Sequence, residues 1–592
     1  MAQVPFTPLI IDGQERPASN SESFEVHKPQ SGALVGTAAS ATSQDCLDAI
    51  DAASRALKTW ETSSLVERRD IFIEAAGLFT SEKYSKLLQE TSSDEMGFAS
   101  YWGMLDARVA RNNLLAQLAC MEKLRGEFFP SASVPGVQAF VQRRAKGVIF
   151  AIAPWNSPAG LTVRAIAVAI FCGNTVVFKG SELTPRTHYI VAKIFHEAGL
   201  PKGVLNCISA SAPNTPALVA KIIAHPQIRH INFTGSDRVG KIIAMEAAKV
   251  LKPCVLELGG KAPTIVLEDA DLKEAARAIA YGAMANSGQV CMSTERVIVH
   301  ESVAESLVAS IKEIVATLKA GDTSTDPSCQ LGPLFSERSA ERIVGVLKNS
   351  QDAGAQVLLG DLTRDKAVLQ PHILTGVKPG MSLWDEESFG PVVVIATFKT
   401  DEEAIELGNA STYSLTSSVW SADLSKAQRI AFQLRYGTVN INGSTIHSEP
   451  TDGLIGLTFL EVVKTTGELT EKQEQWARLP IVSMLPIVGS VSTHIIRQQM
   501  KKGKHKDVAN VINTWNHHFF HPRHIEIVLM QGVARLSGID KHSQNEPTMG
   551  WSGESLIQRP PDSDSTSKGK GKAKEEEDTT YRLYIRPLPS RT

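Results

Sequence analysis

The sequence predicts an α/β protein organised on parallel sheets, and three observations carry that prediction. Between residues 147 and 233, apolar runs of four to six residues at 148–153, 175–178, 204–208 and 229–233 alternate with helical patterns at 161–171, 184–197 and 216–224. The first three runs are apolar on nearly every residue rather than on every second one, as expected of strands buried on both faces, while 229–233 keeps Ile231 and Phe233. The alternation resumes after residue 291, with a strand at 295–300 and helices at 303–318 and 337–349. Strands so spaced form a parallel sheet with helices on both sides, and ligands of such sheets bind at the carboxyl ends of the strands.

Composition bounds the rest. At 592 residues the chain exceeds a single core, so two or three domains are expected. A hydrophobic share of 43% with 21% charged residues describes an ordinary globular protein, and a net charge of −2 offers no general attraction to nucleic acid or anionic membrane. Seven scattered cysteines without a Cys-x-x-Cys pair argue for a reducing compartment, without structural zinc or a disulfide framework. The first twenty residues lack a basic stretch leading into a long apolar one, so neither a secretory nor a mitochondrial signal is expected. The longest apolar stretch, 479–491, is interrupted by Pro486 and Gly489 and is too short to span a bilayer, which makes the cytoplasm the expected location.

Taken in order, the chain opens with a short strand at 9–12. A helix follows at 44–60, where Cys46, Ile50, Ala53 and Leu57 recur at spacings of three and four. Helical patterns return at 101–124. Around Pro130, Pro135 and Gly136, the apolar residues Phe128, Phe129, Val134, Val137, Phe140 and Val141 then predict a hairpin over 127–146.

The loops after the strands carry the chemistry. The first, Pro154-Trp155-Asn156-Ser157-Pro158, reads by itself as a rigid proline-framed turn, and the second, Lys179-Gly180-Ser181-Glu182, as surface charge. After the fourth strand, Gly235, Ser236 and Gly240 open a helix whose N–H groups could meet a pyrophosphate, although a Gly-Ser turn there equally serves as a cap. No G-x-G-x-x-G fingerprint occurs in this region. Further on, Glu257 stands beside two glycines and Cys291 lies 34 positions later. A thiolate attacks a carbonyl, and a nearby carboxylate can take a proton from the thiol or from water. Alone, each is equally a small buried hydrophobe or a solvated turn residue.

The ordered words around them decide between these readings. Glu257-Leu258-Gly259-Gly260-Lys261, then Gly288-Gln289-Val290-Cys291, Phe233-Thr234-Gly235-Ser236 with Gly240, Glu386-Glu387-Ser388-Phe389-Gly390-Pro391-Val392 and 437–443 together resemble the aldehyde dehydrogenase superfamily. The resemblance implies a Rossmann-type NAD(P)-binding domain over 1–124 and 147–256, an oligomerisation hairpin at 125–146, and a catalytic domain at 257–434 whose chain returns toward the first domain at 435–451. It makes Cys291 the nucleophile and Glu257 the general base, with Asn156 and the Cys291 N–H forming the oxyanion hole. Trp155, Lys179, Glu182, Gly235, Ser236, Gly240, Glu387 and Phe389 become cofactor contacts. Glu182 would bind the ribose hydroxyls and repel a 2′-phosphate, favouring NAD over NADP. No metal is implied, and a homodimer or homotetramer is.

Two departures narrow the branch, and one breaks the match. Gly180 stands where relatives usually have Pro, and Ser157 where many have an aromatic. Ser157, with Arg164 and Cys-Met-Ser-Thr-Glu-Arg from Cys291, looks like the salicylaldehyde and vanillin dehydrogenase branch, which implies NAD(P)-dependent oxidation of aromatic or other bulky aldehydes to acids. After 451, neither the family's Gly-rich segment nor its closing strand is found. Residues 452–559 read as an appended region of unknown fold, with a helix at 508–520, a strand at 525–530 and surface histidines His517, His518, His521 and His524. Residues 560–592 read as disordered. An impaired dehydrogenase-like scaffold or fused interaction protein is therefore the alternative.

Overall fold

The computed structural model describes residues 4–119, 121–446 and 460–466, all within one compact unit, Met1–Ile481. Its centre is two seven-stranded, mostly parallel sheets. In the first, Cys254–Glu257, Ile228–Thr234, Val148–Ile152, Thr175–Lys179 and Leu205–Ile208 lie side by side in parallel; the hairpin Leu9–Ile11 and Gln14–Arg16 closes one edge in antiparallel sense.

The near-continuous apolar runs have a direct cause. Val148, Phe150 and Ile152 point into one core with Ile231 and Phe233, while Ile149 and Ala151 point into the opposite core with Val176 and Phe178. Neither face of these strands can be polar, because helices cover both.

The second sheet runs Gln356–Leu359, His372–Thr375, Val392–Phe398, Thr294–His300, Ala262–Val266, Thr416–Trp420 and Thr438–Ile441, parallel except for the first pair. Within the described residues the expected strands and helices are present with ends moved by up to three residues, except that the helix expected at 101–124 ends at Ala119 and is followed by a short 3-10 turn, Met121–Leu124. The helix expected at 161–171 starts earlier, as Pro158–Phe171, because Pro158 fits its first turn.

The hairpin is formed by Glu127–Pro130 and Gln138–Ala145. One finding differs from the sequence reading, which found no closing strand in the tail. Leu460–Thr466 pairs antiparallel along nearly all of Gln138–Ala145, from Leu460 opposite Ala145 to Thr466 opposite Ala139. Strand pairing is made by backbone groups and tolerates foreign sequence, and the run Leu-Glu-Val-Val-Lys-Thr-Thr is rich in β-branched residues. The helix expected at 508–520, the strand at 525–530, the histidine group and the 560–592 tail lie outside the described residues. Among the described residues, no helix is long and apolar enough to cross a membrane.

Candidate active site

Four neighbouring strands of the first sheet end at one edge, and their carboxyl ends deliver Glu257, Gly235, Asn156 and Lys179 in that spatial order. Gly235 N–H donates to the Glu257 carbonyl at 3.0 Å, joining the first two loops.

The loop holding Asn156 is fixed by the helix Ser100–Ala119. Trp102 Nε1 donates to the Asn156 carbonyl at 3.0 Å. The buried Asp106 carboxylate accepts from Ala159 N and Gly160 N, each at 2.8 Å, and from the Ser157 hydroxyl. Asp106 thus caps the helix Pro158–Phe171, whose own N-cap residue Ser157 makes no such bond. A Cβ at Gly160 would lie 2.9 Å from Asp106 Oδ1, so this close approach needs glycine. Burial raises the Asp106 pKa against the pull of those three donors.

Asn156 itself is buried, and its Nδ2 donates to the Gln289 carbonyl at 3.0 Å, two residues before Cys291. A primary amide keeps a second N–H for a further acceptor. Cys291 follows a tight left-handed run at Asn286, Ser287 and Gly288, with φ of 50, 56 and 72°. Such conformations are costly and persist where the surroundings over-determine them. Here Asn286 Nδ2 donates to the Asn156 carbonyl, Ser287 Oγ to the Gly332 carbonyl, and Gln289 bridges Pro333 and Phe335.

Cys291 is half-buried, and desolvation pushes its thiol up to about 12, helped by the charges of Glu387 and Glu257; Arg164 and its own backbone N–H pull the other way. Glu257 Oε1 lies 3.0 Å from Arg164 Nη2, and both side chains remain accessible, 21% and 35%.

The Glu257 loop packs against the cysteine without room for side chains at its two glycines. A Cβ on Gly260 would sit 2.1 Å from the Cys291 carbonyl, and one on Gly259 2.5 Å from Glu387 Oε2. Gly260 N donates to Glu387 Oε1 at 2.9 Å. Burial, then the neighbouring Glu295, raises the Glu387 pKa to about 8. Behind it, Lys261 and Glu295 form an ion pair with 1% and 3% exposure. Glu295 also accepts from Ser388 N, Ser388 Oγ and Phe389 N, at 3.0, 2.7 and 3.4 Å, and so positions the loop that carries Glu387 and Phe389.

The remaining predicted residues line the same edge. The Trp155 ring packs 4.7 Å from Phe335 and 5.7 Å from Phe389. Buried Lys179 reaches Glu182 at 3.3 Å, with desolvation lowering its pKa against Glu182. Gly180 has a reason here: a Cβ would meet the buried His188 ring at 2.7 Å. Ser236 caps the helix Asp237–Lys249, and Gly240 lies against Leu258, which a Cβ would approach to 2.5 Å.

The structure therefore gathers Asn156, Glu257, Cys291, Glu387 and Phe389 around one cleft and sets Lys179, Glu182, Gly235, Ser236 and Gly240 along its sheet edge. Sequence reasoning missed Trp102, Asp106, Phe335, Lys261 and Glu295. Only the last two carried a signal, as part of the words around Glu257 and Cys291.

The model of the aldehyde dehydrogenase family matches residues 16–456, and that of a domain of unknown function, DUF4646, matches residues 457–523. A salicylaldehyde dehydrogenase of Pseudomonas sp. (strain C18) is 40% identical over 443 residues, covering 75% of this chain and 91% of that protein. A vanillin dehydrogenase of Pseudomonas sp. (strain HR199 / DSM 7063) is 42% identical over 443 residues, covering 75% and 90%. The crystal structure of a salicylaldehyde dehydrogenase from Pseudomonas putida G7 complexed with salicylaldehyde superposes with a TM-score of 0.76 at 37% identity, covering 79% of this chain and 99% of that one.

Proposed function

This chain belongs to the aldehyde dehydrogenase family, and on that premise we propose that it oxidises aromatic or other bulky aldehydes to carboxylic acids with NAD in preference to NADP. The observation that carries the reading is the convergence of Cys291, Asn156 and Glu257 on one cleft at the carboxyl edge of a parallel sheet.

The residues at that edge fit an NAD(P) cofactor. The N-terminus of Asp237–Lys249 offers N–H groups to a pyrophosphate, Lys179 and Glu182 suit ribose hydroxyls, and Glu387 with Phe389 suits the nicotinamide end. An accessible carboxylate at Glu182 disfavours a 2′-phosphate, which supports NAD. When bound, the cofactor supplies the hydride acceptor.

The chain's own groups do the rest. Cys291 sulfur bonds to the aldehyde carbon, its proton passing to a base, and the carbonyl oxygen becomes an oxyanion facing Asn156 Nδ2 and the Cys291 N–H. Losing one such donor costs about 10²–10³ in kcat. Once hydride has left that carbon, a thioester joins it to Cys291. Glu257 takes a proton from water as the water oxygen adds to the thioester carbon. The carbon–sulfur bond then breaks, releasing Cys291 as thiolate and the product as acid. Ser157 is a small residue next to Asn156 in the chain, and Trp102, Val290 and Met292 form an apolar cluster near Cys291, which supports an aromatic substrate. The homodimer or homotetramer of the reading would use the hairpin, whose sheet Leu460–Thr466 of the same chain widens from two strands to three.

The test is NADH or NADPH absorbance at 340 nm with a panel of aliphatic and aromatic aldehydes. Turnover with aromatic aldehydes and a higher kcat/KM with NAD is expected. No turnover with any aldehyde and either cofactor returns the chain to the scaffold alternative.

A further inference from the structure

The helix Pro158–Phe171 carries one charged residue among fourteen, and eleven of the fourteen are buried. That residue, Arg164, is partly accessible and forms an ion pair with Glu257, whose Oε1 lies 3.0 Å from Arg164 Nη2. The cleft faces a difficulty that this pair addresses. Cys291 must react as a thiolate, while the Glu257 carboxylate disfavours negative charge on its sulfur, as Glu387 does once it ionises near pH 8. The other nearby cation, Lys261, is committed to Glu295 in a sealed pair. Arg164 is the remaining positive side chain that favours the thiolate. Like charges sharing a site cannot all ionise without a counter-charge.

We infer that Arg164 is the positioning residue for the base, pairing with Glu257 so that the carboxylate is held at the cleft wall and its charge is cancelled toward Cys291. A carboxylate base and a thiolate nucleophile then coexist in one cleft. This rests on the roles proposed above for Cys291 and Glu257. Because the role assigned to Arg164 is to supply a positive charge beside Glu257, lysine, which keeps that charge without the planar fork, satisfies it in part.

The test reads the thiol directly and needs neither substrate nor cofactor. The full chain is alkylated with iodoacetamide at fixed neutral pH, and the Cys291 peptide is followed by mass spectrometry. Arg164→Met is expected to slow alkylation on the order of tenfold, since each pKa unit is tenfold in thiolate. Arg164→Lys should recover most of the rate. In a Glu257→Gln background, where there is no charge left to cancel, Arg164→Met should change the rate by much less. In turnover, Arg164→Met should lower the steady-state rate more than the hydride burst. Arg164→Gln, checked by its melting curve, replaces Met if that variant misfolds. Unchanged alkylation in a folded Arg164 variant overturns the inference, and so does an equal effect in the Glu257→Gln background, which would mean that Arg164 acts on the sulfur by itself. If the chain turns over no aldehyde, the function fails while the alkylation experiment still decides the pairing.

Discussion

Two ion pairs lie four positions apart on one loop, and their environments are opposite. Lys261 and Glu295 are sealed at 1% and 3% exposure, with the Glu295 carboxylate filled by Ser388 and Phe389 donors. Arg164 and Glu257 meet at 3.0 Å with 35% and 21% of their side chains still accessible. A sealed pair has no proton to exchange with solvent and no freedom to move, so it serves as a fastener between the Glu257 loop and the Glu387 loop. An accessible carboxylate can meet water and give up a proton. With the roles proposed above, the cleft separates holding from reacting by burial, using the same two kinds of charge.

Four experiments can break or sharpen that contrast. Cys291→Ser removes the group that both pairs serve, and aldehyde oxidation should fall by at least ~1000-fold. Its cofactor affinity, followed by fluorescence titration, should remain, because the residues proposed to bind the cofactor lie elsewhere; near wild-type turnover would remove Cys291 from the mechanism.

Lys261→Met leaves Glu295 buried without its cation. A broken buried pair costs about 3–5 kcal/mol, visible as a shifted denaturant midpoint. Replacing both partners, as Lys261→Met with Glu295→Leu, should return part of that stability. A Lys261→Met protein of normal stability would overturn the fastener role.

Glu257→Gln should do the reverse. Stability should stay within about 1 kcal/mol, as for other accessible ion pairs, while rapid-quench kinetics show a preserved hydride burst and thioester hydrolysis slowed by about 10²-fold. Equal loss in both phases would assign Glu257 another role.

The smallest effect concerns Glu387, which sits between the two pairs. Its folded-state pKa, about 8, is above the usual 4.5, so the folded chain holds this proton more tightly than the unfolded chain does. Stability from this source is fully present below about 4.5 and is lost as pH rises through 8. The buried His188 and His230, lowered from 6.5 to about 3, act oppositely, adding stability as pH rises toward 6.5. Between pH 6.5 and 8 the carboxyl effect should therefore dominate. A loss of about 1 kcal/mol or less is expected there, since the half-buried group is partly screened by solvent. Glu387→Gln should flatten the slope; an unchanged slope would place the titrating group elsewhere.

What the sequence alone determined was local. Uninterrupted apolar runs such as Val148–Ile152 can be strands only when both faces are covered, and that requirement is written in consecutive residues. Cys291, Glu257 and Asn156 could be put forward as site residues for the same reason, because short ordered words surround them. The tertiary structure decided what pairs with those words across the chain. The helices Pro158–Phe171 and Pro185–Glu197 have no local side-chain cap, and buried carboxylates from distant helices, Asp106 and Glu95, take their first N–H groups. Arg164 finds Glu257 from 93 positions away, and Leu460–Thr466 completes a hairpin more than 300 residues earlier. Each partner is a common residue type with no periodicity to mark it. Such contacts are selected by packing geometry, which exists only once the sheets have formed and brought their edges together.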